Sequence, residues 1–151
     1  MKRVYYIFLL LLSLSITSCN TFEILDDDNI GETEQSAEVD HTMIFYVMGD
    51  NNISSSLAEN VKQIAQSVDG DFAENGQIVI YYDRRDSTTL LRLRANNLEE
   101  SKWRERFEVL KRYEKQNCAS EEVLRTVMND VQTLAPSKSY GIVFSGHGGG
   151  W

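Results

Sequence analysis

The sequence is poor in several residues that carry chemistry or mark special scaffolds. It has one proline, two cysteines and two histidines in 151 residues. One proline and nine glycines exclude a collagen-like or linker-like low-complexity chain. Two cysteines exclude a disulfide-rich scaffold and a four-cysteine zinc site. Two histidines leave little material for a multi-histidine metal centre. Positive charge is short as well: 15 Lys and Arg stand against 23 Asp and Glu, a formal net charge of −8. No net positive field exists to attract phosphates, which speaks against a nucleic-acid partner. Hydrophobic residues at 42% and charged residues at 25% are nonetheless ordinary for a globular chain, and the length fits one domain.

Residues 1–18 read as an export signal. Lys2 and Arg3 supply the positive start, Tyr5 to Leu14 is mostly apolar, and small residues follow at Ser15, Thr17 and Ser18. The apolar run is short for a membrane span. Ile16-Thr17-Ser18-Cys19 resembles the bacterial lipobox, in which an aliphatic and two small residues precede a cysteine. That resemblance implies cleavage before Cys19, lipid attachment to it, and an exported protein anchored at the outer membrane or cell surface. Two or more acyl chains anchor stably, since each buried methylene contributes roughly 0.8 kcal/mol. Residues 19–41 read as an acidic disordered tether. Glu23, Asp26, Asp27, Asp28, Glu32, Glu34, Glu38 and Asp40 fall between positions 20 and 40 with no basic residue among them.

Residues 42–151 form the folded part. Thr42 to Met48 is a continuous apolar run of aromatic and branched residues, as expected of a strand buried on both faces. Gly49-Asp50-Asn51-Asn52 breaks it. Ile53, Leu57, Val61, Ile64 and Val68 then recur at helical spacing, with Ser56 and Glu59 as a capping box and Gly70 as a stop. Gln77 to Tyr82 predicts a second strand, parallel to the first across a right-handed crossover, ending at Asp83. Arg84-Arg85-Asp86-Ser87 reads as a solvated turn. Leu91 and Leu93 alternate with Arg92 and Arg94, which predicts a half-exposed edge strand. Residues 99–117 fit helix and strand about equally, with a lean to a strand at 107–112. A helix capped by Ser120 follows, with Val123, Val127 and Val131 as its buried stripe and Ala135-Pro136 as its end. Tyr140 to Ser145 predicts the last strand. The order is that of an α/β domain around a mostly parallel sheet.

In such sheets ligands bind beyond the carboxyl ends of the strands. Asp50, Asp83 and His147 each follow a predicted strand and belong on one rim. His147 is the sharpest of these. Its imidazole exchanges protons near neutral pH, the flanking glycines let backbone approach a substrate, and the Gly148 N–H is placed to meet an oxyanion. Asp50 is good capping material with a secondary role on the substrate side of the rim. Asp83 opens a polar turn. Cys118 lies in a polar stretch before a helix and reads as a free thiol.

The His147-Gly148-Gly149-Gly150 run resembles the oxyanion motif of lipases and esterases, which implies a serine esterase. The helix and crossover before it do not match that setting. The segments Met43–Ile53 and Ala135–Trp151 resemble the clostripain family of cysteine peptidases, in the caspase-like superfamily. The first carries that family's first strand and Asp-Asn loop. The second carries the strand leading to the catalytic histidine and its His-Gly-x-Gly-Trp signature. The resemblance implies a caspase-like three-layer sandwich around a mostly parallel sheet, incomplete in this chain. It also implies a polypeptide substrate cleaved after Arg or Lys and, in some members, calcium. His147 would act with a cysteine thiolate, and the Gly148 amide would hold the oxyanion. Cys19 and Cys118 both precede the histidine, whereas the superfamily places its nucleophile about 50 residues after it. The expectation is therefore an N-terminal part of a peptidase, inactive alone, with the cysteine on a continuation or a second chain. A non-catalytic surface lipoprotein that binds peptides or a partner is the reading from another class.

Overall fold

A computed structural model of the chain describes residues 38–68, 75–94 and 100–147. The lipobox, Cys19, nearly all of the tether, Gly70 and Gly148 to Trp151 lie outside the described residues. Strand β1, Val39–Met48, starts ahead of Thr42, so its first three residues lie in the stretch read as tether. Helix α1, Ser54–Ser67, leads to β2, Gly76–Asp83, which pairs parallel to β1 with Ile44 opposite Val79. Strand β3, Thr88–Leu93, runs back antiparallel to β2. A 3₁₀ stretch at Glu100–Arg106 precedes β4, Phe107–Tyr113, which is antiparallel to β3. Residues 99–117 thus hold both elements that their sequence allows. Helix α2, Glu121–Leu134, crosses to β5, Ser137–Ser145, which lies parallel to β1 on its far side. The sheet order is β4-β3-β2-β1-β5, and β3 alone runs against the other four.

Two cores lie on opposite faces of this sheet. Alternate residues of β1 and β2 feed each one, as the two-residue strand period requires. Val47, Ile78, Ile80 and Tyr82 pack with Leu57, Val61 and Ala65 of α1 and with Trp103. Ile44, Tyr46, Val79 and Tyr81 pack with Val123, Val127 and Val131 of α2. The result is the three-layer arrangement expected. Two crossovers of one hand that step in opposite directions along a sheet carry their helices to opposite faces. Among the described residues no helix is long and apolar enough to cross a membrane.

Two local expectations need correction. The edge strand on the β2 side of the sheet is β4, not β3. Strand β3 is buried at five of its six positions because β2 and β4 flank it and both helical layers cover it. Its Arg92 remains polar by reaching the Leu134 carbonyl, at the end of α2, and Glu108 at 3.5 Å. The second concerns α1, which has no Ser56–Glu59 capping box. Its N-cap position is Ile53, without a side-chain cap. The turn before it is closed instead by Asn51, whose Oδ1 accepts from Ile53 N at 2.9 Å while Nδ2 donates to the Met48 carbonyl at 2.6 Å. Helix α2 begins as expected, with Ser120 Oγ accepting from Val123 N at 3.3 Å.

Strand β5 is the outer strand on the β1 side. Ile142, Val143 and Phe144 are 39%, 40% and 55% exposed, and neighbouring Met43 on β1 is 39% exposed. The first strand is therefore fully buried only on the α2 face, contrary to the two-sided burial expected.

Candidate active site

Strands β2, β1 and β5 lie side by side and parallel, so the residues leaving their carboxyl ends share one rim. Met48 pairs with Asp83, and Val47 with Ser145. The β1–α1 loop, residues 49–53, sits between the other two exits. It is anchored closely at its start. Gly49 N donates to the Asp83 carbonyl at 2.7 Å, and a Cβ at Gly49 would lie 2.7 Å from that same oxygen. Only glycine fits there, because the loop must pass directly over the end of β2.

His147 stands at the exit of β5, exposed, with its Nε2 hydrogen-bonded to Asn52 Oδ1. The structure thus joins the β5 exit to the β1–α1 loop through Asn52. On the other side of that loop Lys115, just past β4, gathers the acidic groups. Its Nζ lies 2.6 Å from Asp83 Oδ1, 3.0 Å from Asp50 Oδ2 and 2.7 Å from the Arg84 carbonyl. Asp83 is buried rather than part of an open turn, and it also accepts from Thr88 Oγ1 at 2.8 Å. Burial opposes the Lys115 ammonium, but hydrogen bonds and charge from Asp83 and Asp50 outweigh it and hold its pKa above the ordinary lysine value. Asp50, with Lys115 on one side and Arg85 at 3.9 Å, is already neutralised by the protein's own cations. It occupies its expected place on the rim, part exposed and in contact with those two cations.

Cys118 is a free, half-buried thiol beside Asp83 and Lys115. Burial, reinforced by Asp83, pushes it up to about 11, so it stays a neutral thiol at physiological pH. Burial and Asp83 outweigh the Lys115 ammonium there, so the setting is not that of a thiolate nucleophile. An open cleft of about 650 Å³ lies between the start of α1 and the β2–β3 turn, lined by Ser54, Ser55, Glu59, Arg84 and Arg85. His147 does not line it, and its walls carry both charge signs. Among the described residues no three His, Cys, Asp or Glu side chains converge on a possible metal position. The two rim carboxylates are tied to Lys115. Neither rim carboxylate is therefore free of a protein cation, and the calcium that the resemblance implies for some members stays an expectation.

Asn52 and Lys115 escaped the sequence reading. Asn52 was hidden in a Gly-Asp-Asn-Asn run that reads as capping material, although one asparagine suffices to close the turn and Asn51 does so. Lys115 carries no local signal, because its partners lie about 32 and 65 positions away along the chain.

A mostly parallel sheet between two helical layers, with a histidine just past an outer parallel strand, defines a caspase-like α/β domain. The clostripain family model of C11 peptidases matches residues 45–151. The chain belongs to the clostripain family of cysteine peptidases. Solved structures agree. A Bacteroides fragilis cysteine protease is 25% identical, with a TM-score of 0.56, over 74% of this chain and 92% of that one. A secreted C11 cysteine protease from Bacteroides thetaiotaomicron, in complex with an irreversible peptide inhibitor, is 29% identical with a TM-score of 0.60. There the match covers 75% of this chain and 31% of that one. A B. thetaiotaomicron clostripain in complex with the peptide inhibitor BTN-VLTK-AOMK shares the fold at 24% identity and a TM-score of 0.64, over 76% and 96% of the two chains. The matched stretch is thus nearly the whole of two of these chains and under a third of another. No curated protein matches significantly. The family assignment removes the esterase reading of the His147-Gly148-Gly149-Gly150 run.

Proposed function

We propose that this chain supplies the histidine side of a cysteine endopeptidase site, and that the nucleophile comes from polypeptide outside the described residues. The observation that carries this reading is His147, held at the carboxyl end of an outer parallel strand whose apolar residues lie exposed. A further strand laid along β5 would end beside His147 and bring a thiolate within its reach. The relatives matched over nearly their entire length support a second chain as the source. In the reaction the thiolate attacks the scissile carbonyl, and the Gly148 amide would hold the oxyanion. His147 gives its proton to the leaving amine, then takes one from the water that hydrolyses the acyl-enzyme. Cleavage after Arg or Lys follows from the family resemblance. The VLTK peptide bound by the B. thetaiotaomicron clostripain is in keeping with it. Cys19 would carry the lipid anchor that holds the enzyme at the outer membrane or cell surface. Calcium dependence is implied by the family resemblance alone.

The test uses the full-length gene product. Peptides ending in Arg or Lys ahead of a fluorogenic group should be cleaved, and peptides ending in Asp or Ala should not. His147→Ala should lower turnover by about 10²–10⁴-fold. Chelation by EGTA reads calcium dependence, and Cys19→Ala should abolish palmitate labelling. If no peptide is cleaved and no thiol-directed peptide inhibitor labels the protein, it is a non-catalytic peptide-binding lipoprotein.

A further inference from the structure

The contact between Asn52 and His147 has a chemical direction. The atom that faces Nε2 is the side-chain carbonyl oxygen of Asn52. A carbonyl oxygen only accepts, so this orientation of the Asn52 amide assigns the proton to Nε2. In a neutral ring that leaves Nδ1 as the nitrogen with a free lone pair. The contact is also held in place from behind. Asn51 pins the loop through Met48 and Ile53, its own N–H donates to the Gly49 carbonyl at 2.9 Å, and Gly49 is bound to Asp83. Asn52 thus projects from a turn whose backbone is fixed on both sides. The rim carboxylates do not compete for the imidazole, because Lys115 holds both Asp50 and Asp83. Asn52 itself does not serve as the cap of α1, since Ile53 occupies that position. Its side chain is left for the histidine.

We infer that Asn52 is a positioning residue that holds His147 in the Nε2–H tautomer, so that Nδ1 is the nitrogen that exchanges protons with the nucleophile and the leaving amine. This rests on the peptidase reading above. A histidine free to rotate would present either nitrogen, and only part of the population would be aligned for proton transfer. Groups that orient a metal-bound imidazole through its second nitrogen are worth about 10–100-fold, and the same scale is expected here. The effect belongs in kcat, because Asn52 acts on the histidine and not on the substrate.

The experiment uses the full-length gene product with 15N-labelled histidine, His147 being assigned by its loss in His147→Gln. Spectra are taken where the ring is neutral. The wild type should show His147 as the Nε2–H tautomer. Asn52→Ala should give a mixture of tautomers and lower kcat by about 10–100-fold with KM nearly unchanged. Asn52→Asp keeps an acceptor oxygen at the same place and should restore both the tautomer and most of kcat. The inference is overturned if Asn52→Ala keeps wild-type kcat, or loses kcat with the tautomer unchanged. Should Asn52→Ala fail to fold, the wild type decides, since an Nδ1–H tautomer refutes the assignment. The two levels separate cleanly. An Nδ1–H tautomer with turnover intact sinks the assignment alone. An intact Nε2–H tautomer with no turnover sinks the peptidase reading, and with it the role given to Asn52.

Discussion

The ammonium of Lys115 touches two carboxylates and a backbone carbonyl, and one of those carboxylates, on Asp83, is almost wholly buried. Removing the ammonium would leave the buried Asp83 with only the Thr88 hydroxyl and the Cys118 thiol beside it, which is how the loss of one partner of a buried pair becomes costly. Lys115 itself is nearly half exposed, so solvent screens part of the effect. Lys115→Met should therefore cost about 1–2 kcal/mol at neutral pH. The pH dependence has a definite sign. The folded-state pKa of Lys115 lies above its unfolded value, so its contribution is complete below the unfolded value of about 10.4 and fades as pH rises through the folded one. Denaturation of wild type and Lys115→Met should differ by a constant amount from pH 6 to 9 and converge above about pH 10.5. A gap that persists unchanged at higher pH would mean that the side chain acts by packing alone. None of this was legible in the sequence. Local patterning identifies a residue by its neighbours along the chain, and Lys115 is defined by neighbours on two distant segments.

At the scale of the element, legibility depended on how much of the signal was local. The valine stripe and Ser120 cap of α2 are contained within one segment, and the structure keeps both. The apolar runs of β1, β2 and β5 were equally plain. Strand β3 misled because alternating Leu and Arg describes two faces, not their surroundings. Arg92 is covered by the end of α2 and uses its guanidinium to meet the last carbonyl of that helix. Helix α1 misled in a different way. Ser56 and Glu59 have capping-box spacing, but the chain is already helical at Ser54, one turn too early for them. At its other end the buried Arg106 donates to the Ala65 and Val68 carbonyls, a cap delivered from 38 or more positions away. The two serines give a direct comparison. Ser120→Ala should destabilise the protein by about 1 kcal/mol, the usual cost of losing an N-cap. Ser56→Ala lies on an exposed helical turn and should be neutral or slightly stabilising, because alanine is the better helix former. Thermal denaturation of both variants decides the point. A loss at Ser56 as large as that at Ser120 would restore the capping box.

For the molecule as a whole, the two long sides of the sheet are unlike. Strand β4 carries Lys111 and Arg112 and is tied to α2 by Lys111 and Tyr113, which both reach Asp130 at 2.8–2.9 Å. Charges of this kind protect an edge from pairing with another chain. Strand β5 has no charged residue after Lys138, and its Ile142, Val143 and Phe144 are exposed on both faces. An outer strand of that composition is a template for whatever strand reaches it first. In the proposed enzyme that is the strand bearing the nucleophile, so catalytic assembly and protection of the edge are one event. Residues 38–151 on their own should therefore self-associate through β5. Phe144→Lys is the informative change, since this side chain is the most exposed of the three and touches the core only at its border, 5.6 Å from the Tyr46 ring. A lysine there leaves the fold in place and sets like charges against each other when two β5 edges meet. Sedimentation at increasing concentration should show larger species for the parent and a shift toward monomer for Phe144→Lys. Equal association of the two would mean that the contacts form elsewhere. In the proposed enzyme the same substitution should lower activity by weakening the docking of the strand that bears the nucleophile, and a fully active Phe144→Lys enzyme would place that strand somewhere other than along β5.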